Sequence, residues 1–255
     1  MTRVQLGRGM AILAMATMSL LASRPLAYSS SPTASRAHIA ILDLRLDDAA
    51  NLLSGQDDSI ATAIERTRLA LYRGHCDTAV AVARRSDVAS TEEGALLLMI
   101  AQGCARASAG TIVVANEEHG VVIRFQNDAD RALAPLIARA VSQTRTTLAN
   151  DLGVSLPSPV FVDLLRDQLS LSAMSGLPET AAQTTGTVAV AKWGRVMMLS
   201  PRSSPRGYPW LDTLAHEMTH LALSQATRDR APLWLQEGVA KREETRWRYP
   251  EPCDH

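Results

Sequence analysis

The chain has 255 residues, of which 46% are hydrophobic, so it is long enough and apolar enough to bury a sizeable core. Its 26 basic residues balance its 26 acidic residues, and this zero net charge gives no sign of the basic surface that binds nucleic acid. These totals argue against a disordered chain and against a nucleic-acid-binding protein.

Residues 1–36 are interpreted as a signal peptide followed by a linker. Arg3 and Arg8 form a basic start, and the uncharged run 11–22 is of signal-peptide length but too short to span a bilayer comfortably. Cleavage is expected somewhere within residues 23–35. The protein is therefore expected to be exported to the periplasm or the extracellular space. The alternative is an uncleaved segment that anchors the chain in the membrane.

Residues 37–110 are predicted to form a helical N-terminal region. Helical spacing of apolar residues marks the segments 61–72, 78–85 and 91–110. The phrase LYRGHCDTAVAVA resembles the turn and second helix of a tetratricopeptide hairpin, over barely one repeat. Cys76 and Cys104 lie in this region, and an exported chain permits a disulfide between them. Two buried thiols are the alternative.

Residues 111–255 are predicted to form a second, α+β unit. Two β-branched strands surround a turn in 111–125, a long helix is predicted over 128–153, and Pro135 is expected to kink that helix or to delay its start. A buried-type strand follows at 159–165, and the segment 186–201 is typical of a hairpin that turns at Trp193. This order predicts a small mixed sheet packed on helices. Trp193 is expected to pack at the turn, with substrate contact as the alternative.

The segment LAHEMTHLALSQ carries two histidines four residues apart. No glycine or proline occurs between Trp210 and Thr227, so the segment is predicted to be helical. Residues at positions i and i+4 of a helix share one face, and the imidazoles of His216 and His220 can therefore converge on one metal ion. Glu217 would then lie beside that ion, close enough to reach a bound water.

Two imidazoles do not complete a catalytic zinc site, because such sites usually have three protein ligands and a water. Glu237 is the candidate third ligand: a polar loop separates it from His220, and a second helix is predicted around it. An HExxH motif alone is a weak signal. The alternative is an ordinary amphipathic helix that happens to contain two histidines.

HExxH followed by WLxEGxA resembles the gluzincin metallopeptidases, in particular those with a peptidase MA-like catalytic domain. The resemblance rests on His216, Glu217, His220, Trp234, Leu235, Glu237, Gly238 and Ala240. It implies a zincin-like fold over 111–255, with Zn²⁺ bound by the two histidines and Glu237. Glu217 would be the general base, and Glu244, seven residues after the third ligand, would support the site from behind.

The same resemblance implies a peptide or protein substrate, hydrolysed by a zinc-activated water. An edge strand ahead of the HExxH helix would hold the substrate backbone, and the residues expected to form it are Val196, Met197, Met198 and Leu199. An endopeptidase is favoured because the aminopeptidase phrase GxMEN is absent from the sequence. Larger family members wall the cleft with a further helical domain, and in related enzymes a Tyr or His beyond the third-ligand helix stabilises the oxyanion. Tyr249 and His255 are the downstream candidates for this donor, and Tyr208 lies just ahead of the motif helix. Either the chain is a C-terminally truncated form or the donor comes from elsewhere. The alternative is a non-catalytic, zinc-binding module that acts in protein–protein interaction. The sequence leaves the oligomeric state open.

Overall fold

The computed structural model describes residues 31–55, 58–180 and 186–248. These ranges contain ten α-helices and one five-stranded mixed sheet, which confirms the α+β class. The basic and apolar parts of the predicted signal peptide, residues 1–30, lie outside the described residues. None of the helices in the described ranges is long and apolar enough to cross a membrane.

Within residues 31–55 and 58–110, six helices precede the sheet, and the sequence did not predict three of them. They are α1 (Pro32–Leu42), α2 (Leu46–Leu53), α3 (Ile60–Tyr72), α4 (Cys76–Ala83), α5 (Ser86–Ala89) and α6 (Glu92–Ser108). Helix α6 begins where the sequence predicts, because the Thr91 side chain accepts a hydrogen bond from the Gly94 amide at 2.9 Å and two glutamates occupy the first turn.

Helix α1 corrects the predicted boundary between linker and folded region. The sequence placed the linker up to residue 36, but α1 begins at Pro32, and Ala34 is already buried. Proline is favoured in the first turn of a helix, because its missing N–H would have no partner there. The packed part of the chain therefore starts several residues before residue 37.

The strands follow the predicted segments. They are β1 (Ile112–Asn116), β2 (Val121–Phe125), β3 (Val160–Leu165), β4 (Ala189–Lys192) and β5 (Arg195–Leu199), in the spatial order β1-β2-β3-β5-β4. The outer pairs β1–β2 and β4–β5 are antiparallel, and the inner pairs β2–β3 and β3–β5 are parallel. Trp193 and Gly194 both have positive φ, as a two-residue hairpin turn between β4 and β5 requires.

Helices cover both faces of the sheet. On one face lie α7 (Ala134–Leu152) and α9 (Trp210–Thr227), whose apolar residues pack with Ile123, Val162 and Met198. On the other face α3, α4, α6 and α8 (Gln168–Ser175) pack with Met197 and Leu199. The last helix, α10 (Leu233–Glu243), contacts α9. A 3₁₀ turn over Asp128–Leu133 takes up the first part of the predicted long helix, so that α7 starts just before Pro135.

A buried ionic network joins the N-terminal helices to the sheet. Asp163 of β3 accepts from Arg124 at 3.1 Å and from Arg195 of β5 at 3.0 Å, and Arg195 also donates to the carbonyl of Tyr72 at the end of α3. The structure also pairs Cys76 with Cys104 in a disulfide, with Cα atoms 5.6 Å apart. The N-terminal helices are therefore held against the sheet by charge as well as by apolar packing.

Candidate metal centre

Helix α9 carries the two histidines on the side that faces α10. The helix has the predicted bounds, because no residue within it breaks the hydrogen-bonding pattern and Leu214, Met218 and Leu221 anchor it in the core. The imidazoles of His216 and His220 have side-chain exposures of 19% and 13%, and their Nε2 atoms lie 3.2 Å apart. The two imidazoles thus project from successive turns of the helix, and their Nε2 atoms meet on the side that faces α10.

Helix α10 brings Glu237 to the same point. One carboxylate oxygen of Glu237 lies 3.5 Å from His216 Nε2 and the other lies 3.6 Å from His220 Nε2. The three side chains form a group whose potential ligand atoms all lie within 4.8 Å of one another. The candidate ligands predicted from the sequence are thus brought together by the contact between the two helices.

These separations fit a tetrahedral zinc ion. Zinc binds nitrogen and oxygen ligands at about 2.0–2.1 Å, so ligand atoms at tetrahedral angles lie about 3.3–3.4 Å apart. The Nε2–Nε2 separation of 3.2 Å is close to that value, and each imidazole has one oxygen of the Glu237 carboxylate at 3.5 or 3.6 Å. A set of two imidazoles and one carboxylate suits Zn²⁺ far better than Ca²⁺ or Mg²⁺, which prefer oxygen ligands.

Two further side chains fix the orientation of the imidazoles. A Glu244 oxygen lies 3.4 Å from His216 Nδ1, which favours the tautomer with the proton on Nδ1 and leaves Nε2 free to bind a metal. Gln236 makes a side-chain hydrogen bond to the His220 ring, and its amide nitrogen donates to the Ala231 carbonyl at 2.8 Å. The supporting position of Glu244 follows the expectation, whereas the sequence analysis missed Gln236.

Glu217 lies beside the histidines in a more buried setting. Its residue exposure is 9%, and burial raises the pKa of its carboxyl to about 7, although a hydrogen bond from the Ala191 amide favours the charged form and the nearby Glu237 charge opposes it. Burial also lowers the pKa of His220. The carboxyl of Glu217 is therefore balanced between its two protonation states near neutral pH.

The predicted substrate strand is wrong. Val196, Met197, Met198 and Leu199 belong to β5, which pairs with β3 on one side and with β4 on the other, and all four are buried. A strand with two partners has no free N–H or C=O groups to offer to a peptide. The strand at this edge of the sheet is β4, the other arm of the same hairpin.

The edge strand β4 faces Glu217. Lys192 and Arg195 flank the two-residue turn and form a hydrogen-bonded pair of the antiparallel ladder. Because such pairs alternate with non-hydrogen-bonded pairs, the N–H and C=O of the preceding residue, Ala191, point away from β5. Its N–H donates to Glu217, as that direction requires. No signal in the sequence identified Ala191, because its contribution comes from the backbone.

Tyr208, which the sequence offers as one donor for a developing oxyanion, is engaged elsewhere: its hydroxyl donates to the Leu199 carbonyl. Tyr249 and His255, the other donors that the sequence offers, lie outside the described residues. Asp212, in the first turn of α9, accepts hydrogen bonds from Trp247 and Arg248. Of the residues that the structure describes, none predicted as an oxyanion donor reaches the centre in this role.

Comparison with protein-family models, with curated proteins and with solved structures gave no match to this chain.

Proposed function

We propose that the protein is a zinc-dependent peptidase of the gluzincin type. The observation that carries the proposal is the meeting of two imidazoles, whose Nε2 atoms lie 3.2 Å apart, with the Glu237 carboxylate, whose two oxygens lie 3.5 and 3.6 Å from them, beside the buried Glu217. Chance pairing of two histidines on a helix does not account for a third ligand on another helix at the spacing of a tetrahedral ion.

The openness of the centre supports catalysis rather than a purely structural role. The Glu237 side chain is 54% exposed, so a fourth coordination position would be accessible to solvent and substrate. Structural zinc sites are closed by four protein ligands, whereas catalytic sites keep one position open. When bound in such a set, zinc lowers the pKa of water to about 7 and polarises a carbonyl.

Glu217 is the general base of the proposed reaction. Its carboxylate takes a proton from the attacking water and then gives that proton to the leaving amine. The Ala191 amide hydrogen-bonds the carboxylate and would orient it for this role. Glu244 and Gln236 hold the two imidazoles in the orientation that metal binding needs.

The backbone of the substrate is proposed to lie along β4 in place of the expected β5. An extended peptide can add to a free sheet edge through main-chain hydrogen bonds. The carbonyl of Ala191 points to this open edge, and it belongs to the same residue whose N–H donates to Glu217. A peptide bound there lies against the catalytic face of α9.

A specific observation favours the second candidate, a zinc-binding module that acts through protein–protein contact. Leu233 and Trp234, at the start of α10, are 70% and 74% exposed beside Glu237. Large apolar side chains that protrude together are typical of binding surfaces. In this case Glu217 would be dispensable for the function.

Zinc content and proteolysis together separate the two candidates. The wild-type protein and Glu217→Gln are each expected to contain one zinc per chain, and only the wild type is expected to cleave a generic unfolded protein substrate. A wild type that contains zinc but cleaves nothing would support the binding module. A wild type without zinc would remove the basis of both.

Export of the peptidase is part of the proposal. The Cys76–Cys104 disulfide fits an oxidising compartment such as the periplasm or the extracellular space. Membrane contact would be limited to the N-terminal segment. Fractionation of expressing cells tests this directly: the protein is expected outside the cytosol, and exclusive recovery from the cytosol would contradict export.

A further inference from the structure

A small cavity lies where the N-terminal helices meet the end of the edge strand. Its volume is about 80 Å³, and its walls come from three parts of the chain: the ends of α1 and α3, the β4–β5 turn, and the C-terminal half of α9. The residues that matter for its chemistry are Leu42, Leu44, Tyr72, Trp193, Leu221 and Asp229. One water needs about 10–15 Å³ of such space, so the cavity has room for a few waters or for one small charged group.

Element ends meet around this cavity. In the part of the chain that the structure describes, four residues other than glycine have positive φ: Leu44 at 56°, Trp193 at 56°, Arg228 at 50° and Asp229 at 56°. Three of them line the cavity and Arg228 adjoins it. Leu44 follows the end of α1, Arg228 and Asp229 follow the end of α9, and Trp193 forms the hairpin turn, so the walls of the cavity are set by where these elements end.

The cavity lies close to the metal centre. Ser224, which also lines it, is one helical turn beyond His220 on α9, a distance of about 6 Å along the helix. Ala191 lines it too, and this is the edge residue that holds Glu217. Since an extended peptide advances about 3.3 Å per residue, the cavity is within about two residues of a bond cut at the metal.

The N-terminal helices close the groove along β4. Leu44 and Tyr72 pack on the hairpin turn so closely that a Cβ on Gly194 would lie 3.0 Å from atoms of both. This wall is fixed to α9, because Gln225 donates to the Asp43 carbonyl at 3.3 Å and Arg228 pairs with the Asp43 carboxylate at 2.7 Å. A peptide lying on β4 therefore meets the cavity at the end of its path.

The walls combine aromatic rings with an unpaired acid. Tyr72 and Trp193 meet edge to face with ring centroids 5.9 Å apart. Among the residues that the structure describes, no cation pairs with the exposed Asp229 carboxylate. Burial, with the Asp229 charge adding to it, raises the pKa of Tyr72 to about 12, so Tyr72 contributes a neutral ring. Aromatic faces beside a carboxylate are the surroundings that an ammonium group favours.

Lys192 is the one cation among the residues that line the cavity, and its ammonium group is turned to the other side of the sheet edge. Its Nζ lies 5.0 Å from the centroid of the Trp193 ring and would be 3.9 Å from a Cβ on Gly176 at the end of α8. Asp229 thus remains the charge available to a ligand.

We propose that this cavity is a substrate subsite that binds an ammonium group of the peptide, with Asp229 as its anion and Tyr72 and Trp193 as its aromatic walls. The inference rests on the proposed peptidase function and adds to it a specificity supplied in part by the N-terminal helices. The ammonium group is either the free amino terminus of the substrate or a lysine side chain, both of which present the same chemistry.

Asp229→Asn tests the subsite, because asparagine tolerates the left-handed backbone of this position and removes only the charge. The matched control is Asp128→Asn, an exposed acid at the start of the 3₁₀ turn before α7. Four alanine-based peptide amides serve as probes, with the amino terminus free or acetylated and with lysine or norleucine as the second residue. Their binding is measured by calorimetry in the zinc-loaded Glu217→Gln background, and their cleavage is measured with Glu217 intact.

Asp229→Asn is expected to weaken binding of the peptides that carry the recognised ammonium group by about tenfold or more and to raise their KM, while binding of the peptides that lack this group changes less than about twofold. Asp128→Asn is expected to match its parent. Loss of binding on acetylation assigns the cavity to the amino terminus, and loss on replacing lysine assigns it to the side chain.

Equal effects of Asp229→Asn on all four peptides, or no binding by any of them, would overturn the subsite. If the wild type nevertheless cleaves peptides, the proposed peptidase function stands and only the ammonium subsite is wrong. If instead binding depends on Asp229 but the wild type cleaves nothing, the ammonium site stands and the peptidase is wrong.

Discussion

The contact between Glu244 and His216 makes a quantitative prediction for metal affinity. Glu244→Gln keeps the size of the side chain but removes the carboxylate that lies 3.4 Å from His216 Nδ1. Both side chains are about four-fifths buried, at 20% and 19% exposure, so solvent screens the interaction only in part. Loss of such a partner behind a metal-bound histidine typically lowers metal affinity by about 10–100-fold, or about 1.4–2.7 kcal/mol.

Zinc affinity is measured by competition with a chromogenic chelator at constant pH, on freshly prepared metal-free protein. Lys241→Gln is the matched control, because Lys241 pairs with Glu244 but is 75% exposed and does not touch the histidine. Its effect is expected to stay within about twofold, as for most exposed ion pairs. A Glu244→Gln affinity within twofold of the wild type would refute the positioning of His216 by Glu244. Equal losses in the two variants would assign the effect to the ion pair instead.

Three other predictions concern stability. Asp163→Asn leaves two arginines facing a neutral group in the core, so the free energy of unfolding in urea is expected to fall by about 3 kcal/mol or more, and a loss below about 1 kcal/mol would contradict the buried network. Cys76→Ser removes the disulfide to Cys104, which closes a loop of 28 residues. Because the unfolded chain then gains loop entropy, the free energy of unfolding is expected to fall by about 3–4 kcal/mol. An unchanged melting temperature under oxidising conditions would count against the disulfide. Arg228 lowers the pKa of the Asp43 carboxyl below its usual value, so the pair stabilises the fold above about pH 4 and loses that contribution as the pH falls through the folded pKa. Asp43→Asn is therefore expected to lower the free energy of unfolding by less than about 1 kcal/mol at pH 7 and not at all in strong acid. A loss of stability that grows on acidification would contradict this pH dependence.

The geometry of the candidate metal centre was largely predictable from the sequence, because the spacing of its histidines is local information. The spacing of His216 and His220 fixes their common face once a helix forms, and the uninterrupted stretch around them fixes the bounds of α9. Glu237 required one further step, the return of the chain through a polar loop. The choice of Glu237 among the downstream acids also drew on the resemblance of WLQEGVA to the gluzincin pattern.

The edge strand was assigned wrongly because edges are a property of the whole sheet. Both arms of the hairpin are apolar, and Met197 on one arm is as typical of a strand as Val190 on the other. Which arm is outermost depends on whether β3 pairs with it, and β3 lies well upstream. Periodicity within the hairpin therefore carries no information about its partner.

The cavity beside the centre was equally inaccessible to sequence reasoning. Its wall depends on contacts between residues 182 and 185 positions apart, in which Asp43 at the end of α1 meets Gln225 and Arg228. Neither the left-handed backbone of Leu44 nor that of Asp229 has a signal in the sequence, since glycine would be expected at such positions. Only the folded chain shows that these residues are neighbours.

The most direct test of the account is a crystal structure of the zinc-loaded protein with anomalous data collected on both sides of the zinc absorption edge. The account predicts one strong peak, about 2.0–2.1 Å from His216 Nε2, from His220 Nε2 and from a Glu237 oxygen, with the fourth position held by solvent. A peak held by other residues, or no peak between the three side chains at full zinc loading, would contradict it.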